Sequence, residues 1–151
     1  LALYLLFVFW HPIPTTVWQI ENTTLRALFW GTAGIGWISV LISTFLIDHF
    51  ELFGLRQIWS DWKDKPMPNQ AFRQPFFYKL VRHPIYTGFL IAFWASPDMT
   101  AGHLVFSTAM TVYIFIGIRY EEKDLRSSLG DVYKDYSRRV GKVVPGIGKI
   151  N

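Results

Sequence analysis

The sequence contains no cysteine in its 151 residues. It therefore forms no disulfide framework and offers no thiolate ligand for a zinc site. Charged residues are also scarce, at 17% of the chain, whereas a soluble domain usually carries about 25%. Hydrophobic residues make up 51% and aromatic residues 18%. This shortage of surface-forming side chains argues against an ordinary soluble domain and favours a chain that lies in a lipid bilayer.

One long run without charge predicts a membrane-spanning helix. Residues 27–47 contain no charged side chain, and Arg26 and Asp48 bracket them. As a helix this run would be roughly 32 Å long, enough to cross a hydrocarbon core of about 30 Å. A buried helix of a soluble protein is the alternative. The chain begins without methionine inside the apolar run 1–10, so we expect a further part of the protein upstream.

Two shorter apolar runs, 84–97 and 103–118, flank a group of turn-forming residues. They predict a helical hairpin with arms of roughly 21 and 24 Å, which is short for a full span. The following residues, 119–139, are expected to be helical with a break at Gly130, and 143–147 to be extended. The predicted fold is all-α: an integral membrane helical bundle with a C-terminal helical hairpin and a cytoplasmic tail.

The basic residues predict the orientation of the chain. All lysines and arginines except Arg26 lie either within 48–83 or after the hairpin, in 119–151. An excess of basic residues marks cytoplasmic segments of membrane proteins, so both segments are expected inside and residues 11–24 outside. Acidic residues are interleaved with the basic ones, and the net charge of +4 therefore indicates no nucleic-acid partner. The lipid bilayer, with its anionic headgroups, is the expected partner.

The predicted hairpin brings its two inner ends together. Residues 82–86 at the start of the first arm should then face residues 119–122 at the end of the second. This places one histidine, two arginines, two glutamates and two tyrosines in one pocket at the membrane boundary. Each of them alone could be an ordinary interfacial anchor, but ionisable groups at this depth predict a functional site.

The order of these motifs resembles that of a known family. Leu-Val-Arg-His-Pro-Ile-Tyr-Thr-Gly at 80–88, followed by 119–125 and 129–136, is similar to the isoprenylcysteine carboxyl methyltransferase superfamily. Those proteins are integral membrane enzymes that use S-adenosylmethionine. The resemblance implies transmembrane helices and a cytoplasmic loop in 1–75 and a methyltransferase catalytic region in 76–151. It implies roles in the cofactor site for Arg82, His83, Tyr86, Glu121 and Glu122.

Two other segments resemble one branch of this superfamily. Residues 48–57 and 10–14 are similar to the methanethiol S-methyltransferases, bacterial enzymes that convert methanethiol to dimethyl sulfide. The resemblance implies a small thiol as the substrate. It also implies a bacterial inner-membrane protein whose active site faces the cytoplasm.

The residue types suit this cofactor. S-adenosylmethionine carries a sulfonium, an amino group and a carboxylate. Glu121 or Glu122 could hold the amino group, and Arg82 or His83 the carboxylate. Because Arg126 is spaced to pair with Glu122 on the helix surface, Glu121 is the better pocket candidate. Ring faces near the sulfonium or the adenine are expected from Tyr86, Tyr133 or Tyr136.

Activation of the thiol points to a second group of residues. A free thiol with a pKa of about 8.5 is mostly protonated at neutral pH, so a base or a cation should help. His49 beside Asp48, or alternatively His83, is the predicted base, and Arg119 is predicted to supply positive charge. A cap at the end of a membrane helix is the alternative for Asp48 and His49. No metal is expected.

Other functions remain open from the sequence. A protein-prenylcysteine carboxyl O-methyltransferase would use Arg119 to bind the substrate carboxylate. A non-catalytic membrane subunit with a degenerate pocket would bind no adenosyl cofactor at all.

Overall fold

The computed structural model describes residues 11–46 and 76–149, together with Tyr4, Val8, Phe9 and Trp62. This part of the chain is mostly helical, as predicted, but it also contains two short strands that the sequence did not reveal. The elements in order are β1 (Thr16–Gln19), α1 (Thr23–Leu46), a 3-10 helix (Phe76–Lys79), α2 (Pro84–Trp94), β2 (Asp98–Thr100), α3 (Ala101–Leu129) and α4 (Asp131–Arg139).

Two of the described helices are long and apolar enough to cross a membrane. They are Thr23–Phe45 in α1 and Ala101–Leu129, which is α3. The apolar stretch of α3 ends at Ile118, and the helix then continues through charged residues without interruption. It ends at Gly130, where φ is +55°, and this confirms the predicted break. The charged end of α3 therefore projects beyond its apolar segment on a rigid helix.

Helix α2 is held tightly against α1 by two glycines. A Cβ atom at Gly36 would lie 2.8 Å from the carbonyl oxygen of Gly88, and one at Gly88 would lie 2.7 Å from the carbonyl oxygen of Gly36. These distances are too short for any side chain, so only glycine permits the two backbones to approach so closely. The indole ring of Trp37 adds edge-to-face contacts with Phe89 and Phe93.

Helix α3 packs on α2 through polar and apolar contacts. The Ser107 hydroxyl donates a hydrogen bond to the carbonyl oxygen of Phe93 at 3.0 Å, and the Trp94 indole donates to the Thr111 hydroxyl at 2.9 Å. Both contacts join the end of α2 to the first half of α3. The start of α2 contacts the charged end of α3 through the ion pairs described below, so the two helices run antiparallel.

The residues between α2 and α3 pair with the segment before α1. Strand β1 is antiparallel to β2, with Thr16 opposite Thr100. Arg26 in the first turn of α1 donates two hydrogen bonds to the carboxylate of Asp98, at 2.6 and 2.7 Å. The one basic residue outside the two basic segments is thus paired with an acid at the same end of the molecule.

The tail after α4 folds back on itself. The amide of Lys142 donates a hydrogen bond to the carbonyl oxygen of Ile147 at 2.7 Å. Gly146 and Gly148 have φ values of +78° and +75°, a left-handed conformation that side-chain-bearing residues rarely adopt. The prediction of an extended segment at 143–147 was therefore wrong, because the glycines turn the chain.

Candidate functional site

A buried ion pair joins the start of α2 to the charged end of α3. Arg82 Nη2 lies 2.8 Å from Glu122 Oε1, and Arg82 Nε donates a hydrogen bond to the same oxygen at 3.0 Å. The two side chains are 0% and 3% exposed. A buried charge requires a partner, and these two charges compensate each other. The predicted meeting of the two helix ends is therefore observed at this pair.

Arg82 also holds the C-terminal tail. Its Nη1 donates to the carbonyl oxygens of Ser137 and Val140 at 2.8 and 2.9 Å, and its Nη2 donates to that of Gly148 at 2.9 Å. A guanidinium has five N–H donors, and the contacts with Glu122 and these carbonyls occupy all of them. In this arrangement Arg82 has no donor with which to bind a cofactor carboxylate.

Glu122 is the centre of a wider cluster of nitrogen-bearing side chains. Its Oε1 lies 3.3 Å from His83 Nε2, and its Oε2 lies 3.1 Å from Arg126 Nη2 and 3.4 Å from Lys142 Nζ. Burial disfavours the charged carboxylate, but the hydrogen bond to His83 and the charge of Arg82 outweigh it and lower the pKa of Glu122 to about 2. Glu122 is therefore an anion at neutral pH and too weak a base to deprotonate a thiol.

Glu121 has a different environment from its neighbour. Its side chain is 45% exposed, and its Oε2 lies 3.6 Å from His83 Nδ1. It also interacts with the hydroxyl of Tyr86. The predicted pair of Glu122 with Arg126 is present. The inference that Glu122 is a surface residue was wrong, because its carboxylate is buried. Of the two glutamates, Glu121 has the more accessible carboxylate.

Two of the predicted cofactor residues lie in the core. The side chains of Tyr133 and Tyr136 are 1% and 2% exposed and pack with Val140. The Tyr136 hydroxyl donates a hydrogen bond to the carbonyl oxygen of Tyr78 at 2.6 Å. Burial raises the pKa of Tyr136 to about 12, so the hydroxyl keeps its proton. Neither ring presents an open face to a ligand in this arrangement.

Tyr78 joins the site although the sequence did not single it out. It lies in the 3-10 helix, and burial together with the negative charge of Glu121 raises its pKa above the usual value. The ring of Tyr86 lies 5.7 Å from that of His83. The available signal for Tyr78 was the aromatic run just before the arginine of the motif. We call Tyr78, His83, Tyr86 and Glu121 the donor face.

Arg119 lies on another side of α3. Arg119, Lys123 and Arg126 share one face of the helix, which is turned about 150° away from Glu121 at 100° per residue. Together with Glu122 and Lys142 they line an open cavity of about 340 Å³. Arg119 is thus turned away from the donor face, and its predicted part in activating the thiol stays a prediction.

The predicted thiol-activating residues, Asp48 and His49, lie outside the described residues, so their role also stays a prediction. Within 11–46 and 76–149, no group of three or more histidine, aspartate or glutamate side chains is arranged to hold a metal ion.

Several known proteins are similar in sequence to most of this chain. Methanethiol S-methyltransferase of a Pseudomonas strain is 55% identical over 149 residues, which cover 96% of this chain and 56% of that protein. Methanethiol S-methyltransferase 1 of Bradyrhizobium diazoefficiens is 48% identical over 145 residues, covering 96% and 51%. The chain is similar to the methanethiol S-methyltransferases. The resemblance predicted from 10–14 and 48–57 is confirmed.

The similarity is partial in length, and it extends weakly to a second group of proteins. The chain spans about half the length of the curated relatives that it matches. A Nurim homolog of Drosophila melanogaster is more distant, at 29% identity over 131 residues that cover 83% of this chain and 52% of that protein. No family model and no solved structure matches the chain.

Proposed function

We propose that the protein is a membrane methyltransferase that transfers a methyl group from S-adenosylmethionine to methanethiol and so makes dimethyl sulfide. The accessible carboxylate of Glu121, beside His83 and Tyr86 at the charged end of an apolar helix, is the observation that carries the proposal. The similarity of nearly the whole chain to methanethiol S-methyltransferases supports the choice of substrate.

The proposed membrane arrangement follows from the distribution of charge. Helices α2 and α3 form a helical hairpin in this proposal, and the catalytic region comprises residues 76–151. The charged end of α3, helix α4 and the tail together carry most of the basic residues of this region. They therefore face the cytoplasm of a bacterial cell, and the active site lies on that side of the inner membrane.

The donor face has the groups that the methyl donor requires. The exposed carboxylate of Glu121 fits the positively charged amino group. The rings of Tyr78 and Tyr86 fit a sulfonium or an adenine, because an aromatic face attracts a cation and stacks on a base. When bound, S-adenosylmethionine supplies the methyl group. Glu121, Tyr86 and Tyr78 would bind it, with His83 beside them.

Arg82 and Glu122 act as positioning residues in this proposal. They fix the start of α2 to α3 and tie both to the tail, so they set the distances among His83, Tyr86 and Glu121. Methyl transfer depends on such alignment, since the attacking sulfur, the methyl carbon and the leaving sulfur must be in line. A loss of either residue therefore disturbs the donor face without removing a ligand contact.

The thiol must lose its proton as it reacts. A bond forms between the methanethiol sulfur and the methyl carbon while the bond from the sulfonium to that carbon breaks, and the thiol proton passes to a base. Both ring nitrogens of His83 are turned towards glutamates, which leaves neither for the thiol. We therefore keep His49, supported by Asp48, as the proposed base.

Headspace gas chromatography tests the proposed reaction. Membranes that contain the full-length protein should release dimethyl sulfide when supplied with methanethiol and S-adenosylmethionine. Glu121→Ala should lower this release by at least about tenfold, as expected for loss of a charge-assisted contact. His83→Ala should lower it as well, because His83 lies against the Glu121 carboxylate and helps to position it. Glu21→Ala is the matched control, because Glu21 is exposed in the segment between β1 and α1, and it should behave as the wild type.

Two outcomes would contradict the proposal. Wild-type membranes that bind S-adenosylmethionine but release no dimethyl sulfide would exclude methanethiol as the substrate. Normal release of dimethyl sulfide by both the His83 and the Glu121 variants would exclude the donor face as the binding site of S-adenosylmethionine.

A further inference from the structure

The charged end of α3 carries a second feature, which the proposed reaction does not use. The cavity of about 340 Å³ is lined by Arg119, Lys123, Arg126, Lys142 and Glu122, and we call it the cationic cavity. Four of its lining side chains are positively charged, and one is negative. The negative one, Glu122, already forms an ion pair with Arg82 at 2.8 Å, so the cavity has an excess of positive charge.

The excess is concentrated on Arg119 and Lys123. Arg126 and Lys142 contact the Glu122 carboxylate at 3.1 and 3.4 Å. In the part of the chain that the structure describes, no carboxylate lies within ion-pair distance of Arg119 or Lys123. Both of these side chains belong to exposed residues. Two cations on one helix face, beside an open cavity, indicate an anionic ligand.

The position of the cavity relative to the apolar stretch of α3 indicates the source of this anion. Arg119 is the first charged residue after the apolar stretch of α3, which ends at Ile118. If α3 crosses a membrane, the cavity begins where the hydrocarbon ends, which is the level of the phospholipid headgroups. The donor face lies about 150° away around the same helix, so the two features do not compete for one ligand.

We propose that the cationic cavity binds the phosphate of an anionic phospholipid headgroup. A phosphate offers several oxygens, and the planar guanidinium groups of Arg119 and Arg126 match two of them at a time. Lys123 and Lys142 add point charges. Because Lys142 belongs to the tail and the other three cations belong to α3, the bound phosphate would also tie the tail to the helix. The proposal requires α3 to cross a membrane but does not depend on methyl transfer.

Native mass spectrometry of the full-length protein tests this proposal. The protein is released from nanodiscs that contain equal amounts of phosphatidylglycerol and phosphatidylcholine, and the retained lipid is identified. The wild type should retain phosphatidylglycerol in preference to phosphatidylcholine. Arg119→Gln combined with Lys123→Gln should weaken this retention roughly thirtyfold, as expected for two cations near the headgroups.

The matched control removes two cations elsewhere. Lys134→Gln combined with Arg138→Gln changes the net charge by the same amount on α4, where both side chains are exposed and lie near Asp131 and Asp135. The control should retain phosphatidylglycerol as the wild type does. An equal loss in the control, or no preference in the wild type, would overturn the proposal. Unchanged thermal unfolding of the Arg119 and Lys123 double variant would show that its loss is not a folding defect.

A second arm separates the two sources of phosphate. Inorganic phosphate is titrated into delipidated protein and then into protein that has retained phosphatidylglycerol. The proposal predicts that inorganic phosphate binds weakly and does not displace the lipid. Displacement of the lipid by inorganic phosphate at similar concentrations would show that the cavity binds free phosphate, and this would overturn the lipid assignment.

Discussion

Two arginine–carboxylate pairs lie at opposite ends of the molecule and differ mainly in burial. Arg26 and Asp98 approach to 2.6 Å, with side chains that are 34% and 41% exposed. Arg82 and Glu122 approach to 2.8 Å and are almost completely buried. We expect the shorter pair to be the less costly one to break, because water can solvate each of its partners when they separate. The buried pair cannot lose one member without leaving a charge in a dry environment.

The two pairs also serve different parts of the molecule. Arg26 joins the start of α1 to β2 and so fastens the loops at one end. Arg82 fastens α2, α3 and the tail together at the other end, beside the donor face. We therefore expect the loss of one charge to destabilise the fold most at the end where we propose that the chemistry takes place.

Arg82→Ala should have the largest effect. It leaves the Glu122 carboxylate buried without its main partner, and it removes the donors to three carbonyl oxygens of α4 and the tail. We expect the free energy of unfolding to fall by about 3–5 kcal/mol, measured by denaturant titration in detergent. A loss below about 1 kcal/mol would show that the buried pair is no stronger than a surface pair.

Arg26→Ala should have a clearly smaller effect in the same titration. The pair is solvated, and Asp98 meets water when the arginine is removed. The hydrogen bond from Arg26 lowers the pKa of Asp98 below its usual value. The pair therefore stabilises the fold fully above the usual pKa of an aspartate, and this stabilisation is lost as the pH falls through the lowered pKa of Asp98. The difference in unfolding free energy between Arg26→Ala and the wild type should accordingly shrink in acid. An effect equal to that of Arg82→Ala would remove the contrast between the two pairs.

The helices and the meeting of their ends could be predicted from the sequence. The apolar runs at 27–47 and 103–118 are long enough to indicate helices without tertiary information. Gly130 marked the end of α3 because it breaks the helix with a positive φ. The contact between Arg82 and Glu122 followed from the two apolar runs, 84–97 and 103–118, which are of similar length and were expected to run antiparallel.

Other features were hidden because they depend on tertiary contacts. Strands β1 and β2 are four and three residues long, too short for an alternating pattern, and they pair across most of the chain. The spacing of Glu122 and Arg126 fits a surface pair and a buried cluster equally well, so it could not show that Glu122 is buried. The return of the tail brings the carbonyl oxygen of Gly148 to Arg82, and this contact could not be predicted from the sequence.

We propose that the two adjacent glutamates have separate tasks: Glu121 binds the methyl donor, and Glu122 positions the site. The most direct test is a titration of S-adenosylmethionine into purified full-length Glu121→Gln protein. We expect the affinity for S-adenosylmethionine to be at least about tenfold below that of the wild type, because a charge-assisted contact is lost, and the unfolding temperature to be unchanged. Wild-type affinity in the folded Glu121→Gln protein would contradict it.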